Sequence, residues 1–305
     1  MRKIYLLMLM LVMIVPVFAQ EDAVIDRVLN STTPDEAYQS YTALWTFKSG
    51  NVVSVDFAGM SLELTSSVDA EATIQATLGD NPNALVMLTY TVEEADDSGL
   101  VTYTIEAEAR YVDGNLYINA AYVDGVGPYD IRGEWVQVDD LENFPEFDFF
   151  SDVFEVFQSE TDVNLETVLD FATSISVEPT ELNETEVDSV IITFGWQGLE
   201  NLLDSLGAGL SLESDNPIAA TLIQELSNSD DDLLTLMLLL DDNNVQVGRG
   251  VSVNLALADL DASVLDPTLE GTDATVSVEL TSAENTVILE ANEVYAPVEA
   301  PQLAN

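Results

Sequence analysis

The chain has 305 residues, with 7 Lys+Arg against 56 Asp+Glu, and neither His nor Cys. Its net charge of −49 at pH 7 opposes electrostatic docking on nucleic acid or on an anionic membrane surface. Without His and Cys there are no disulfides, no imidazole or thiolate metal ligands, no Cys nucleophile and no His-based triad.

Arg2 and Lys3 precede an unbroken apolar run from Ile4 to Val15. Pro16 breaks that run, and Val17-Phe18-Ala19 offers a small-residue cleavage site. The pattern predicts a cleaved secretory signal over 1–19, cut between Ala19 and Gln20, and one domain over 20–305. The run is short for a membrane-spanning helix. No Cys follows it to carry a lipid, so the expectation is export to the periplasm or the exterior with no stable membrane anchor. The processed chain keeps five basic residues: Arg27, Lys48, Arg110, Arg132 and Arg249. Its self-repulsion is relieved by salt or bound cations, and the same acidity also suits an ordinary solvated face.

Residues 21–48 read as an opening helical segment, with Val24, Val28 and Leu29 on one stripe and a break at Ser31 to Asp35. Ala43, Leu44 and Trp45 are expected to be buried. From residue 52 the period is two. Val53, Val55 and Phe57 alternate with polar residues, and after Ala58-Gly59 the apolar phase moves to Met60, Leu62 and Leu64. Ala70 to Leu78, Val86 to Val92 and Tyr103 to Tyr111 repeat the alternation. Asp113-Gly114 is a two-residue hairpin signal leading into Leu116, Ile118 and Ala120. A last strand carries Trp135 and Val138. The reading is a meander of about seven antiparallel strands with one wet face.

Leu141 to Gln158 is aromatic and acidic. Helices are expected over 162–174, 199–207 and 217–227, with a strand from Val190 to Trp196 between the first two. Leu233 to Leu240, Val245 to Leu257, Val276 to Leu280 and Val287 to Leu289 return to strands, and 296–305 reads as an extended tail. Strands in runs with helices grouped apart predict an α+β fold.

Catalytic patterns are largely missing. There is no phosphate loop, no Gly-x-Ser-x-Gly elbow and no EF-hand spacing. Asp230-Asp231-Asp232 and Asp241-Asp242-Asn243 suit either a hard cation or a solvated turn. The sequence therefore nominates no catalytic residue, no metal ligand and no cofactor, and the chain is not read as an enzyme. Arg249 sits on the apolar parity of its strand between Gly248 and Gly250. It either meets a ligand carboxylate or phosphate, or is turned outward by a glycine bulge. The Phe144–Phe157 cluster, with Phe150 and Phe154, is either a lip on a ligand cavity or a plug for one end of the sheet.

The stretch Tyr111-Val112-Asp113-Gly114-Asn115-Leu116-Tyr117-Ile118, followed by Gly133-Glu134-Trp135-Val136-Gln137-Val138, resembles the hairpin and G-x-W strand of the LppX/LprG-like group in the LolA-like lipoprotein-localisation superfamily. The resemblance implies a strongly curved antiparallel half-barrel sheet wrapping around inserted helices. It also implies a carrier or binding protein for lipid or another apolar molecule, served by a membrane-bound partner that donates or receives cargo. Arg249, Phe150, Phe154, Leu169, Leu203 and Leu222 are then the expected ligand-binding residues. Two other readings stand beside it: a secreted structural or adhesive protein with a filled core, and a hydrolase working through carboxylates alone.

Overall fold

The computed structural model describes residues 24–58, 60–79, 81–96, 99–128, 130–138, 165–205, 226–227, 232–264 and 271–303. The segment expected to be a secretory signal, 1–19, the stretch 141–158 and almost all of 217–227 lie outside them.

Eleven strands follow in chain order: β1 Ser40–Phe57, β2 Met60–Thr77, β3 Asn83–Asp96, β4 Gly99–Val112, β5 Asn115–Asp124, β6 Val136–Val138, β7 Ser174–Leu182, β8 Thr185–Phe194, β9 Leu234–Leu240, β10 Gln246–Asp261 and β11 Thr275–Ala291. They form one antiparallel sheet in the order β6-β5-β4-β3-β2-β1-β11-β10-β9-β8-β7. Two meanders are thus joined where β1 pairs with β11, from Tyr41↔Ala291 to Asp56↔Thr275. The sheet is curved but does not close, and β6 and β7 are its outer strands. Among the described residues the helices are few and short: α1 (residues 24–29), α2 Pro34–Ala37, α3 Leu165–Asp170 and α4 Trp196–Ser205. Among the described residues, no helix is long and apolar enough to cross a membrane. This is the α+β half-barrel expected from the sequence, with strand predominating.

Alternation explains the sheet. Residues opposite one another share a face, because successive side chains along a strand point to opposite sides. One such row runs Leu238, Arg249, Thr286, Trp45, Ala72, Leu88, Ala107, Ala120 across eight strands. The buried residues concentrate on this face. Ile74, Val86, Ile105 and Ile118 form a cluster with Trp45 under the first meander. Val190, Ile192 and Phe194 of β8 form a second, closed by Val28 of α1 and by Val168 and Leu169 of α3. Ala262, Ala274 and Val276 form a third. Trp45 is 1% exposed and Phe194 0%. Side chains of that size each contribute about 1.5–3 kcal/mol on burial.

The other face is largely polar. Lys48 meets Asp69 at 2.8 Å there. The C-terminal tail also crosses it. The Ser40 hydroxyl donates to the Glu293 carbonyl at 2.6 Å, the Thr42 hydroxyl to the Tyr295 hydroxyl at 2.9 Å, and Arg110 Nη1 to the Glu299 carbonyl at 3.0 Å.

Several expectations need correction. The opening helix does not reach residue 48: β1 starts at Ser40. Ala43, Trp45 and Phe47 alternate and pair with strands on both sides, and that pairing overrides a local helical reading. Leu44, on the opposite parity, is only half-buried. Among the described residues the first meander has six strands where about seven were expected, and Trp135 precedes β6 instead of lying in it. The helix expected over 162–174 is described from Leu165 and ends at Asp170, because Ser174 already begins β7. β7 itself was not expected. Trp196 opens α4 instead of ending a strand. The segments around 276–280 and 287–289 are one strand, β11.

Candidate functional site

Arg249 lies in the middle of β10. Register on that strand shifts between Gln246 and Gly248, and from Gly248 to Val253 it pairs in step with both β9 and β11. No bulge therefore turns Arg249 away. It stays on the apolar face and is exposed there. The flanking glycines have another cause. A Cβ on Gly248 would lie 2.8 Å from Leu239 Cδ1 and 3.2 Å from the Thr286 carbonyl oxygen. A Cβ on Gly250 would lie 2.4 Å from Asn285 Oδ1. The glycines make room on the opposite face, where Leu239 is 6% exposed.

Polar groups gather near Arg249. Thr286 is directly opposite on β11, and its Oγ1 is buried with no hydrogen-bond partner. Trp45, next in the row, donates its indole N–H to Glu284 Oε1 at 2.9 Å. Further along the same face of β1, Asn51 Oδ1 is also buried and unpartnered. Burial is the main reason that the Tyr41 phenol is pushed up to about 12, reinforced by the charge of Asp35 and a hydrogen bond to it, while the charge of Arg249 pulls the other way.

The other basic side chains are committed to carboxylates. Arg27 of α1 pairs with Asp188, and also donates to Asn244 Oδ1 at 3.1 Å and to the Asp241 carbonyl at 3.2 Å, tying the helix to the sheet. Lys48 holds Asp69, and its ammonium is pushed up by that hydrogen bond. Arg110 meets Glu108 at 2.7 Å, and its guanidinium lies 4.8 Å from the Trp135 ring centroid. Arg132 pairs with Asp130 and pulls that carboxyl down through a hydrogen bond. Asp261 is pulled down by hydrogen bonds from Ser263. Both carboxyl groups move in the direction opposite to that which a general acid needs. Among the described residues, Arg249 forms no ion pair with a carboxylate.

Beyond Arg249 the same face continues toward the β1–β2 turn, and several of its apolar side chains are exposed. Val251 is 42% exposed, Leu280 38% and Leu62 59%. A cleft of about 310 Å³ lies on the opposite face instead, between β2–β4 and the tail, with Gln75, Leu85, Arg110, Tyr295 and Pro297 among its walls. Its guanidinium is already bound to Glu108 and to the tail backbone.

The structure places the expected ligand residues differently. Arg249 lies on the apolar face of β10. Leu169 is buried in the second cluster, where it fastens α3 to the sheet. Leu203 falls within α4. Phe150, Phe154 and Leu222 lie outside the described residues. Asp241 serves its own turn: Oδ1 accepts from the N–H groups of Asn243 at 2.9 Å and Val245 at 2.8 Å. Thr286, Glu284 and Trp45 were missed as neighbours of Arg249. Parity places each on a face, but not beside a particular residue of a distant strand.

No protein-family model and no curated protein matches the chain. Among solved structures it is similar to a DUF1329 family protein from Desulfovibrio piger, 10% identical over 89% of this chain and 91% of that one, with a TM-score of 0.19. A likeness of that degree carries no argument about function.

Proposed function

We propose that the protein is an exported binding or carrier protein for lipid or another apolar ligand, held along the apolar face of the curved sheet beside its helices. One observation supports the reading. On the face that buries all three core clusters, Leu62, Val251 and Leu280 stand exposed. A filled core has no use for such a surface, whereas an acyl chain laid along it gains about 0.8 kcal/mol per buried CH₂ before association costs. The resemblance to the LppX/LprG-like group points to the same class of cargo. No covalent step is required.

The test is to express the full chain with its own export segment, purify it without detergent, and compare native with denaturing mass spectra. The expected result is added mass that disappears on denaturation and that an organic extract identifies as lipid. If the native mass is bare and added fatty acids, monoglycerides and phospholipids all fail to bind, the carrier reading is wrong and the filled-core structural reading replaces it.

A further inference from the structure

We infer that Arg249 and Thr286 form the head-group end of the ligand site, so that the cargo is an amphiphile with one anionic head, a carboxylate or a phosphate. The inference rests on the carrier reading and adds the class of ligand to it.

Three observations carry it. The first is Arg249 itself. The processed chain holds five basic residues among 56 acidic ones, and the other four are paired with carboxylates. Arg249 is the exception among the described residues, and it stands on the apolar face rather than the acidic one. In a chain so rich in carboxylates, an uncommitted guanidinium is a cation kept available for an anion from outside. The second is Thr286. Its hydroxyl oxygen is buried and unpartnered directly across from Arg249. Opposed residues of antiparallel strands lie about 4.5–5.5 Å apart at Cβ, so one small anionic group can reach both side chains. A buried polar atom without a partner is costly; Thr286 as a whole is only half-buried, so a small side-chain rotation would bring the hydroxyl to an oxyanion. The third is the adjoining surface. On the same face as Arg249, Val251, Leu280 and Leu62 stand exposed and offer an alkyl chain apolar footholds, with Glu284 and Asn51 interspersed among them.

Glu284 is the opposing charge. It lies on the same face of β11, opposite Val251, and accepts the Trp45 indole N–H. Its carboxylate weakens the site for an anion without closing it. The wider charge of −49 also repels anions, but over distances that salt screens within about 10 Å. A contact pair with Arg249 is much shorter than that.

The experiment is equilibrium dialysis of the same full-length preparation at roughly physiological ionic strength, above the carboxylate titration range. Three probes with one alkyl length are compared: lauric acid, dodecyl phosphate and monolaurin. Both anions should bind about tenfold more tightly than neutral monolaurin, the low end for a charge-assisted bond because Arg249 is exposed. Arg249→Gln should erase that preference, bringing both anions down to the level at which the same variant binds monolaurin. Glu284→Gln, which keeps an acceptor for Trp45, should increase it. Equal binding of all three probes, or a preference that survives Arg249→Gln, overturns the head-group assignment and leaves the carrier reading standing. Failure of every probe to bind overturns the carrier reading, and the assignment with it.

Discussion

Replacing Gly198 by Ala sets two effects of opposite sign against each other. Gly198 is the third residue of α4. Helix propensity alone favours Ala there by up to about 1 kcal/mol. The tertiary contact says otherwise. A methyl carbon on Gly198 would lie 2.3 Å from the Phe171 carbonyl oxygen and 3.7 Å from Phe194 Cδ1. The Phe171 oxygen is backbone and has no rotamer to escape into. Restoring an ordinary contact requires roughly 1 Å of movement between α4 and the chain leaving α3. Overpacking of this kind costs about 1–3 kcal/mol. The upper end applies to a rigid neighbour, so the net loss should be about 1–2 kcal/mol. For a chain of this size that is a fall in Tm of roughly 2–8 °C. Urea unfolding followed by far-UV circular dichroism measures the midpoint, with Gln197→Ala in the same turn as control. Gln197 is exposed, so the control should lie within about 0.5 kcal/mol of the parent. A midpoint that rises in Gly198→Ala would refute the close approach of α4 to Phe171.

Two further outcomes follow from the electrostatics. The Tyr41 phenol is raised to about 12 against an ordinary value near 10. The folded protein therefore holds that proton more tightly than the unfolded chain does. Stability should decline as pH rises from about 10 through 12, and Tyr41→Phe should flatten that decline in a urea-midpoint series across the same window. Asp35→Asn should lower the Tyr41 pKa, read as phenolate absorbance against the Tyr41→Phe background. Added NaCl should raise the melting temperature, because a charge of −49 repels itself and salt screens the repulsion. A melting temperature flat across salt concentrations would mean that the acidic groups already stand far enough apart.

Much of the sheet was legible because period two is a local signal. Val53 and Val55, Val86 to Val92, and Tyr103 to Ala109 fall in β1, β3 and β4 with the expected face inward; Phe57 and Tyr111, at the strand ends, are exposed. Asp113 and Gly114 have φ of 52° and 77°, the left-handed pair that a tight hairpin requires. Local reading failed where pairing with distant strands decides the outcome. Residues 40–48 became strand because β2 and β11 flank them. β7 escaped notice because Ser174–Leu182 carries two Glu and a Pro, a composition tolerated only at the rim of a sheet. At the site, the parity of Arg249 was readable and its partnership with Thr286 was not. Only the register of β10 against β11 puts the two side by side.

The outer strands have a consequence for a sheet that does not close. An open antiparallel sheet has two rims, and each can template a strand from another chain and grow into a fibre. On one side lies β6, of which Val136–Val138 are described. On the other, Pro179 has no N–H to offer a newcomer, and Glu178 and Glu181 beside it place like charge against any second copy of this acidic chain. The features that made β7 hard to recognise are those that keep one molecule from zipping onto the next. Pro179→Val combined with Glu178→Thr and Glu181→Thr would make β7 an effective seed for self-assembly.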